Sequence, residues 1–128
     1  QECNWPTSFK RRMIDSDERE TALMFRRLHN TARVFRNDVA KQVMKLEEQK
    51  GDELEFKDIA HLVNGKRGRQ AEAEGDPDGG VWTAGQVIGL IHDIPTCKQL
   101  MDRMIAEAEE TISGRLAGMV LPAPSSRL

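Results

Sequence analysis

Tyrosine is absent from this 128-residue chain, and its aromatics are only two tryptophans and four phenylalanines. With 19 basic against 21 acidic residues and a net charge of −2, the chain has neither the cationic excess nor the interleaved aromatics of a nucleic-acid binder. Cysteine is as scarce: Cys3 and Cys97 stand at no metal-ligand or redox spacing. His29, His61 and His92 fall in three different segments with no recurrent ligand partner, so no metal site is expected. The longest apolar run, around residues 87–91, falls far short of the ~20 residues that cross a bilayer. No charged-then-apolar leader stands at the amino end. These absences point to a reducing, cytoplasmic compartment, with no membrane and no nucleic acid as partners. The chain starts at Gln1 with Glu2-Cys3-Asn4-Trp5-Pro6, a run that reads like the middle of something, so a piece of a longer polypeptide is expected.

What the chain does have is concentrated in GVWTAGQVIGLIHDIPTC, residues 80–97. Gly79, Gly80, Gly85 and Gly89 surround one tryptophan, as a backbone passing close to something requires. Thr83 is placed to cap a helix, leaving the amides of Ala84, Gly85 and Gln86 free at its positive end for a phosphate, a cofactor carbonyl or a carboxylate. The alternative is purely structural: the glycines let helices approach, and Trp82 fills a core. Spacing alone leaves both readings open.

Elsewhere the pattern predicts a mainly α fold with a few short β-strands. Thr7 or Ser8 starts a short helix carrying Phe9 and Met13 on one side. Residues 21–37 read as a β-hairpin turning at His29-Asn30, because a continuous helix would mix Leu23, Arg27, Asn30 and Val34 on one stripe. Asn37 caps a helix with Val39, Val43 and Leu46 inward, Lys41, Lys45, Glu47 and Glu48 outward, and Gly51 as its stop. A shorter helix packs Phe56, Ile59, Leu62 and Val63 and ends at Asn64-Gly65. The charged run KRGRQAEAEGD then leads into a turn, with a loop at residues 76–80. Thr96 and Gln99 have capping-box spacing for a last helix, whose expected buried stripe is Leu100, Met104, Ile105, Ala108 and Ile112. The methionines are read as core filler.

Several sites can be weighed and set aside. Arg26, Arg27, Arg33 and Arg36 crowd the hairpin, either as an anion site or as a solvated, ion-paired face. Lys66, Arg67 and Arg69 follow Gly65, but Ala60 stands where a phosphate loop needs its first glycine. Asp76 and Asp78 are separated by Pro77, and Val87 occupies the position of the calcium-loop glutamate. No serine lies in a nucleophile elbow. Cys97, at a helix start, is read as a small buried residue rather than an activated thiol.

Three blocks, RRLHNTARVFRN at 26–37, GKRGRQAEAEGD at 65–76 and GVWTAGQVIGLIHDIPTC at 80–97, together resemble the carboxyl-terminal part of the nitronate monooxygenase (2-nitropropane dioxygenase) family. The likeness runs from about Glu2 to Met119 and is greatest to the branch that includes NADH:quinone reductases. His29 replaces a usual arginine, and Glu72 stands where an aromatic is common, so substrate contacts near the lid are expected to differ.

The resemblance implies an FMN-dependent oxidoreductase on a (β/α)8 TIM barrel, of which this chain would supply the α+β lid domain and closing helices. NAD(P)H is implied as a co-substrate, and a nitronate or quinone as the small-molecule substrate. The catalytic base is implied in the barrel, outside this sequence, so no residue here is assigned that role. Trp82, Thr83, Ala84, Gly85 and Gln86 would line the flavin side, while Asn30, Arg33, Arg36 and Asn37 would hold lid against barrel. The implied organisation is a connector at 1–20, the lid at 21–79, returning helices at 80–120 and a flexible tail at 121–128. The missing amino-terminal barrel would be the partner, and the chain alone is expected to bind negligible flavin and be inactive. The rival reading is a small helical protein-interaction module without catalysis.

Overall fold

A computed structural model describes residues 1–120. Among them are five α-helices and one two-stranded antiparallel sheet, the helix-dominated α+β composition that the sequence pattern predicts. The chain divides into two compact units, Asn4–Asp93 and the pair Gln1–Cys3 with Ile94–Leu128.

In the first unit, α1 (Thr7–Ile14) follows Pro6, whose φ of −58° is already that of a helix start and whose carbonyl accepts the Phe9 amide at 3.1 Å. It buries Phe9. Strands β1 (Thr21–Met24) and β2 (Ala32–Phe35) pair in a register that sets Thr21 opposite Phe35 and Met24 opposite Ala32. The turn is longer than a tight His29-Asn30 pair. Phe25 and His29 both adopt positive φ, 62° and 52°, and the amides of Leu28 and Asn30 return to the Phe25 carbonyl.

Helix α2 (Asp38–Lys50) is capped by the Asn37 side chain, which accepts the Ala40 amide, and it stops at Gly51 with φ 55°. Its Val39, Ala40 and Val43 join Met24, Val34, Leu54, Ile59 and Leu62 in one core, where each large side chain contributes about 1.5–3 kcal/mol by leaving water. Glu47, expected outside, is buried; its carboxylate accepts the Arg27 amide at 3.3 Å. A carboxylate beside the open hairpin turn satisfies a backbone donor that strand pairing leaves unused.

Helix α3 (Phe56–Val63) buries Ile59 and Leu62 but leaves Phe56 61% exposed, contrary to the packing expected of it. Lys50 and then the Glu55 amide hold the Asp58 carboxyl below the usual aspartate range, by hydrogen bonding to its charged form. The charged run after Asn64 is a helix, not a turn. In α4 (Gly65–Glu74) the Asn64 side chain caps the Arg67 amide, Ala71 is buried, and Gly75 closes the helix in the left-handed conformation. Two early glycines had hidden a segment otherwise rich in helix formers.

In the second unit, α5 (Cys97–Glu110) starts at the expected capping box of Thr96 and Gln99 and runs on through a π-helical stretch, Thr111–Leu116, and a 3-10 turn, Ala117–Met119. Its apolar stripe is not buried: Leu100, Met104, Ile105 and Ile112 are 42–65% exposed. Caps and strong intrinsic helix formers, rather than burial, account for this helix. Met101, Met104 and Met119 are likewise more than half exposed, and Met24 is the fully buried methionine. Cys97 is exposed, not buried. The expected tail at 121–128 lies outside the described residues. No helix among the described residues is long and apolar enough to cross a membrane.

Candidate functional site

The segment after the 76–80 loop is extended where a helix was expected. An antiparallel bridge joins Thr83 to Val34, and the Phe35 amide donates to the Trp82 carbonyl at 3.0 Å. Thr83 therefore caps nothing. Gly85 enters a short 3-10 turn, Gln86–Leu90, without a side-chain cap. Pairing with β2 holds residues 82–83 extended, and glycines with β-branched Val87 and Ile88 disfavour a full α-helix beyond it.

Trp82 fills a core, as the structural alternative had it. It stacks on Phe35 with centroids 4.4 Å apart and meets Trp5 and Phe9 edge-on at 5.5 and 5.6 Å. Ala84 and Ile88 are buried beside these rings. The intervening Thr83, Gly85, Gln86 and Val87 are exposed, so the segment alternates anchors with outward groups. The first internal bond of the turn runs from the Ile88 amide to the Gly85 carbonyl, which leaves the Gln86 and Val87 amides ahead of the ladder. A Cβ at Gly85 would meet only Val87 Cγ1, at 3.7 Å. The outward edge thus offers an unobstructed backbone, a hydroxyl, a carboxamide and two amide donors.

Side chains that no motif or spacing brought together tie down the 76–80 loop, which delivers this segment. Asn37, only 1% exposed, donates to the Pro77 carbonyl at 2.8 Å and the Gly80 carbonyl at 2.7 Å. Trp82 Nε1 also donates to Pro77 O, at 2.9 Å, and Arg67 Nε to Gly79 O, at 2.7 Å. Arg12 pairs with Asp78 at 2.6 Å. Arg12 and Asp78 lie 66 positions apart, so sequence reasoning had no local signal for them.

The other predicted residues are dispersed. Arg33 Nη1 donates to Thr21 Oγ1 across the hairpin at 2.9 Å. Arg36 is exposed, and its amide donates to the Glu20 carbonyl at 2.7 Å. Asn30, at the hairpin tip, lines an open apolar groove with Phe25, Leu28, Phe56 and Val63. Arg27 pairs with Asp52. Of Asn30, Arg33, Arg36 and Asn37, Asn37 alone joins the loop that delivers residues 82–86. No group of three or more metal-ligating side chains occurs among the described residues.

These features can be set beside known proteins. The chain is similar to FabK from Thermotoga maritima, with a TM-score of 0.76 and 26% identity over 91% of this chain and 35% of that one. A methionine-to-alanine mutant of the same FabK superposes with a TM-score of 0.68 at 24% identity, over 91% and 32%. In the 5-hydroxy-7a-methyl-1-oxo-octahydro-1H-indene-4-carboxyl-CoA dehydrogenase of Rhodococcus jostii (strain RHA1), 39 residues are 49% identical, covering 30% of this chain and 11% of that protein. This chain therefore spans a minor share of each relative's length. The model of the nitronate monooxygenase family matches residues 1–107, and the chain belongs to that family.

Proposed function

We propose that this chain is the carboxyl-terminal part of an FMN-dependent oxidoreductase of the nitronate monooxygenase or NAD(P)H:quinone reductase type, with residues 82–86 along the flavin side of its active site. The observation that carries the reading is the family match over residues 1–107, joined to an exposed polar edge on a segment rigidly anchored through Trp82 and Ala84. The remaining barrel would come from sequence beyond this chain, and it would supply the base and most of the phosphate site. Bound FMN supplies the electron transfer. The chain's own residues bind, orient and shield. The Thr83 hydroxyl, the Gln86 carboxamide and the amides of Gln86 and Val87 are available as hydrogen-bonding groups. Neither the Thr83 nor the Gln86 side chain is bonded to another described residue. Val87 and Leu90, 63% and 76% exposed, present apolar surface beside them that would exclude water once covered. No acid, base or nucleophile is assigned within this chain.

The test is expression of this segment in frame with its upstream sequence. Purified protein should carry releasable FMN, and turnover with NADH or NADPH and a quinone, compared with turnover of a nitronate, decides the reaction type. The 128-residue chain alone should bind negligible FMN. A cofactor-free longer protein, together with a stable 128-residue chain that captures a protein partner, would favour the interaction-module reading.

A further inference from the structure

Two parts of the Asn4–Asp93 unit, the β2–α2 junction and the loop before residue 82, meet at one side chain, which bonds through both amide protons and its oxygen. Asn37 accepts the Ala40 amide with Oδ1 at 3.0 Å and spends both protons of Nδ2, on Pro77 O and Gly80 O. An asparagine offers two donors and an acceptor in one planar group. Serine or aspartate could cap α2 equally well, so capping does not explain the choice of an amide. The two donations do, because they fix both sides of Asp78 and Gly79.

Those bonds sit directly ahead of Trp82. Pro77 O is shared between Asn37 Nδ2 and Trp82 Nε1, so one carbonyl reads the position of both. Gly80 is buried, with its Cα face turned to α4 so closely that a Cβ there would stand 3.0 Å from Gly68 Cα. The loop therefore has no latitude on its α4 side, and Asn37 fixes the other. From Gly80 only Val81 intervenes before the Trp82 carbonyl is taken by the Phe35 amide, two residues upstream of Asn37 in sequence. Phe35, Asn37, Pro77, Gly80 and Trp82 thus close a ring of hydrogen bonds and stacked rings around the start of the outward edge.

We propose that Asn37 is the positioning residue for residues 83–86, setting the place of their outward edge through the carbonyls of Pro77 and Gly80 without touching a ligand itself. The proposal rests on the flavin-side reading of that segment, and its mechanical part can be read without any cofactor. Asn37→Ser keeps the cap of α2 but is too short and has the wrong donors for the two carbonyls. Asn37→Asp keeps the cap and the shape but faces both carbonyls with an acceptor.

The test is native-state hydrogen exchange on the 128-residue chain, combined with FMN titration of the longer flavoprotein. In both variants the Phe35 amide, bonded to the Trp82 carbonyl, and the Ile88 amide, bonded to the Gly85 carbonyl, should exchange roughly tenfold faster or more, the size expected for losing two ordinary hydrogen bonds, while the α2 amides from Val43 to Leu46 stay as protected as in the wild type. FMN affinity and the visible circular dichroism of bound flavin should change in step with that loosening. Faster exchange spread evenly over α2 and these two amides would make Asn37 a general stabiliser and overturn the proposal, as would unchanged exchange at Phe35 and Ile88. A wild-type flavoprotein that binds no FMN would refute the flavin-side reading. Normal wild-type binding with unaltered affinity and spectrum in both variants would refute the positioning role alone.

Discussion

The contact between the 76–80 loop and α4 makes two glycine-to-alanine substitutions, twelve positions apart, act in opposite directions. A Cβ at Gly80 would lie 3.0 Å from Gly68 Cα, 3.2 Å from Ala71 Cβ and 3.5 Å from the Arg67 carbonyl. All three belong to the body of a helix, and none is the end of a side chain that can swing aside. Relief would require moving the loop against the Asn37 and Arg67 bonds, so Gly80→Ala should cost about 1–3 kcal/mol as overpacking. At Gly68 the same added carbon would find only the Val81 carbonyl, at 4.0 Å. There the helix-propensity gain of about 0.8–1 kcal/mol should emerge nearly intact. Thermal unfolding followed by tryptophan fluorescence reads both, since Trp5 and Trp82 sit on this side of the unit. At roughly 3–5 °C per kcal/mol for a chain of this size, the two melting temperatures should move apart by several degrees. A neutral Gly80→Ala together with a destabilising Gly68→Ala would refute the reasoning, because the close approach would then not be where the geometry puts it.

Other perturbations follow from the same structure. Trp82→Ala should destabilise the Asn4–Asp93 unit by about 3–5 kcal/mol, measured by chemical unfolding; a loss under about 1 kcal/mol would deny the ring its place in the core. Asp58 has its carboxyl held below the usual range by Lys50 and the Glu55 amide. A depressed folded value contributes stability above the unfolded-state pKa of about 3.9, and the contribution disappears as pH falls through the folded value. Asp58→Asn should therefore weaken the protein near neutrality and approach wild-type stability in acid, whereas an equal deficit at every pH would contradict the ion pair as its cause. Ile105→Ala, at a position 55% exposed, should leave unfolding of the Asn4–Asp93 unit within about 0.5 kcal/mol of wild type, as read by tryptophan fluorescence.

Elements whose determinants lie within one stretch of sequence were legible in it. The hairpin, the Asn37 and Thr96 caps, the Gly51 stop and the helix at Phe56–Val63 each follow from side-chain chemistry and periodicity a few residues apart. Where the structure departs from the reading, a distant partner decided. Residues 82–83 are extended because Val34 and Phe35 pair with them, which no local propensity at Thr83 announces. Glu47 is buried because a hairpin turn twenty positions away presents an amide to it. The helix at Gly65–Glu74 was hidden by its two early glycines, and the loop that packs on it comes close because Gly80 has no side chain. As for the site, the sequence singled out residues 82–86 and Asn37 separately. Their connection through Pro77 and Gly80 needs three-dimensional contacts over forty or more positions.

The most direct test of the proposed function is hydrogen exchange of this segment, expressed in frame with its upstream sequence, with and without FMN. Cofactor should slow the amides of residues 83–87 and leave those of α3 unaffected. FMN binding that protects other segments while residues 83–87 exchange at the same rate in both states would contradict the placement of this edge at the flavin.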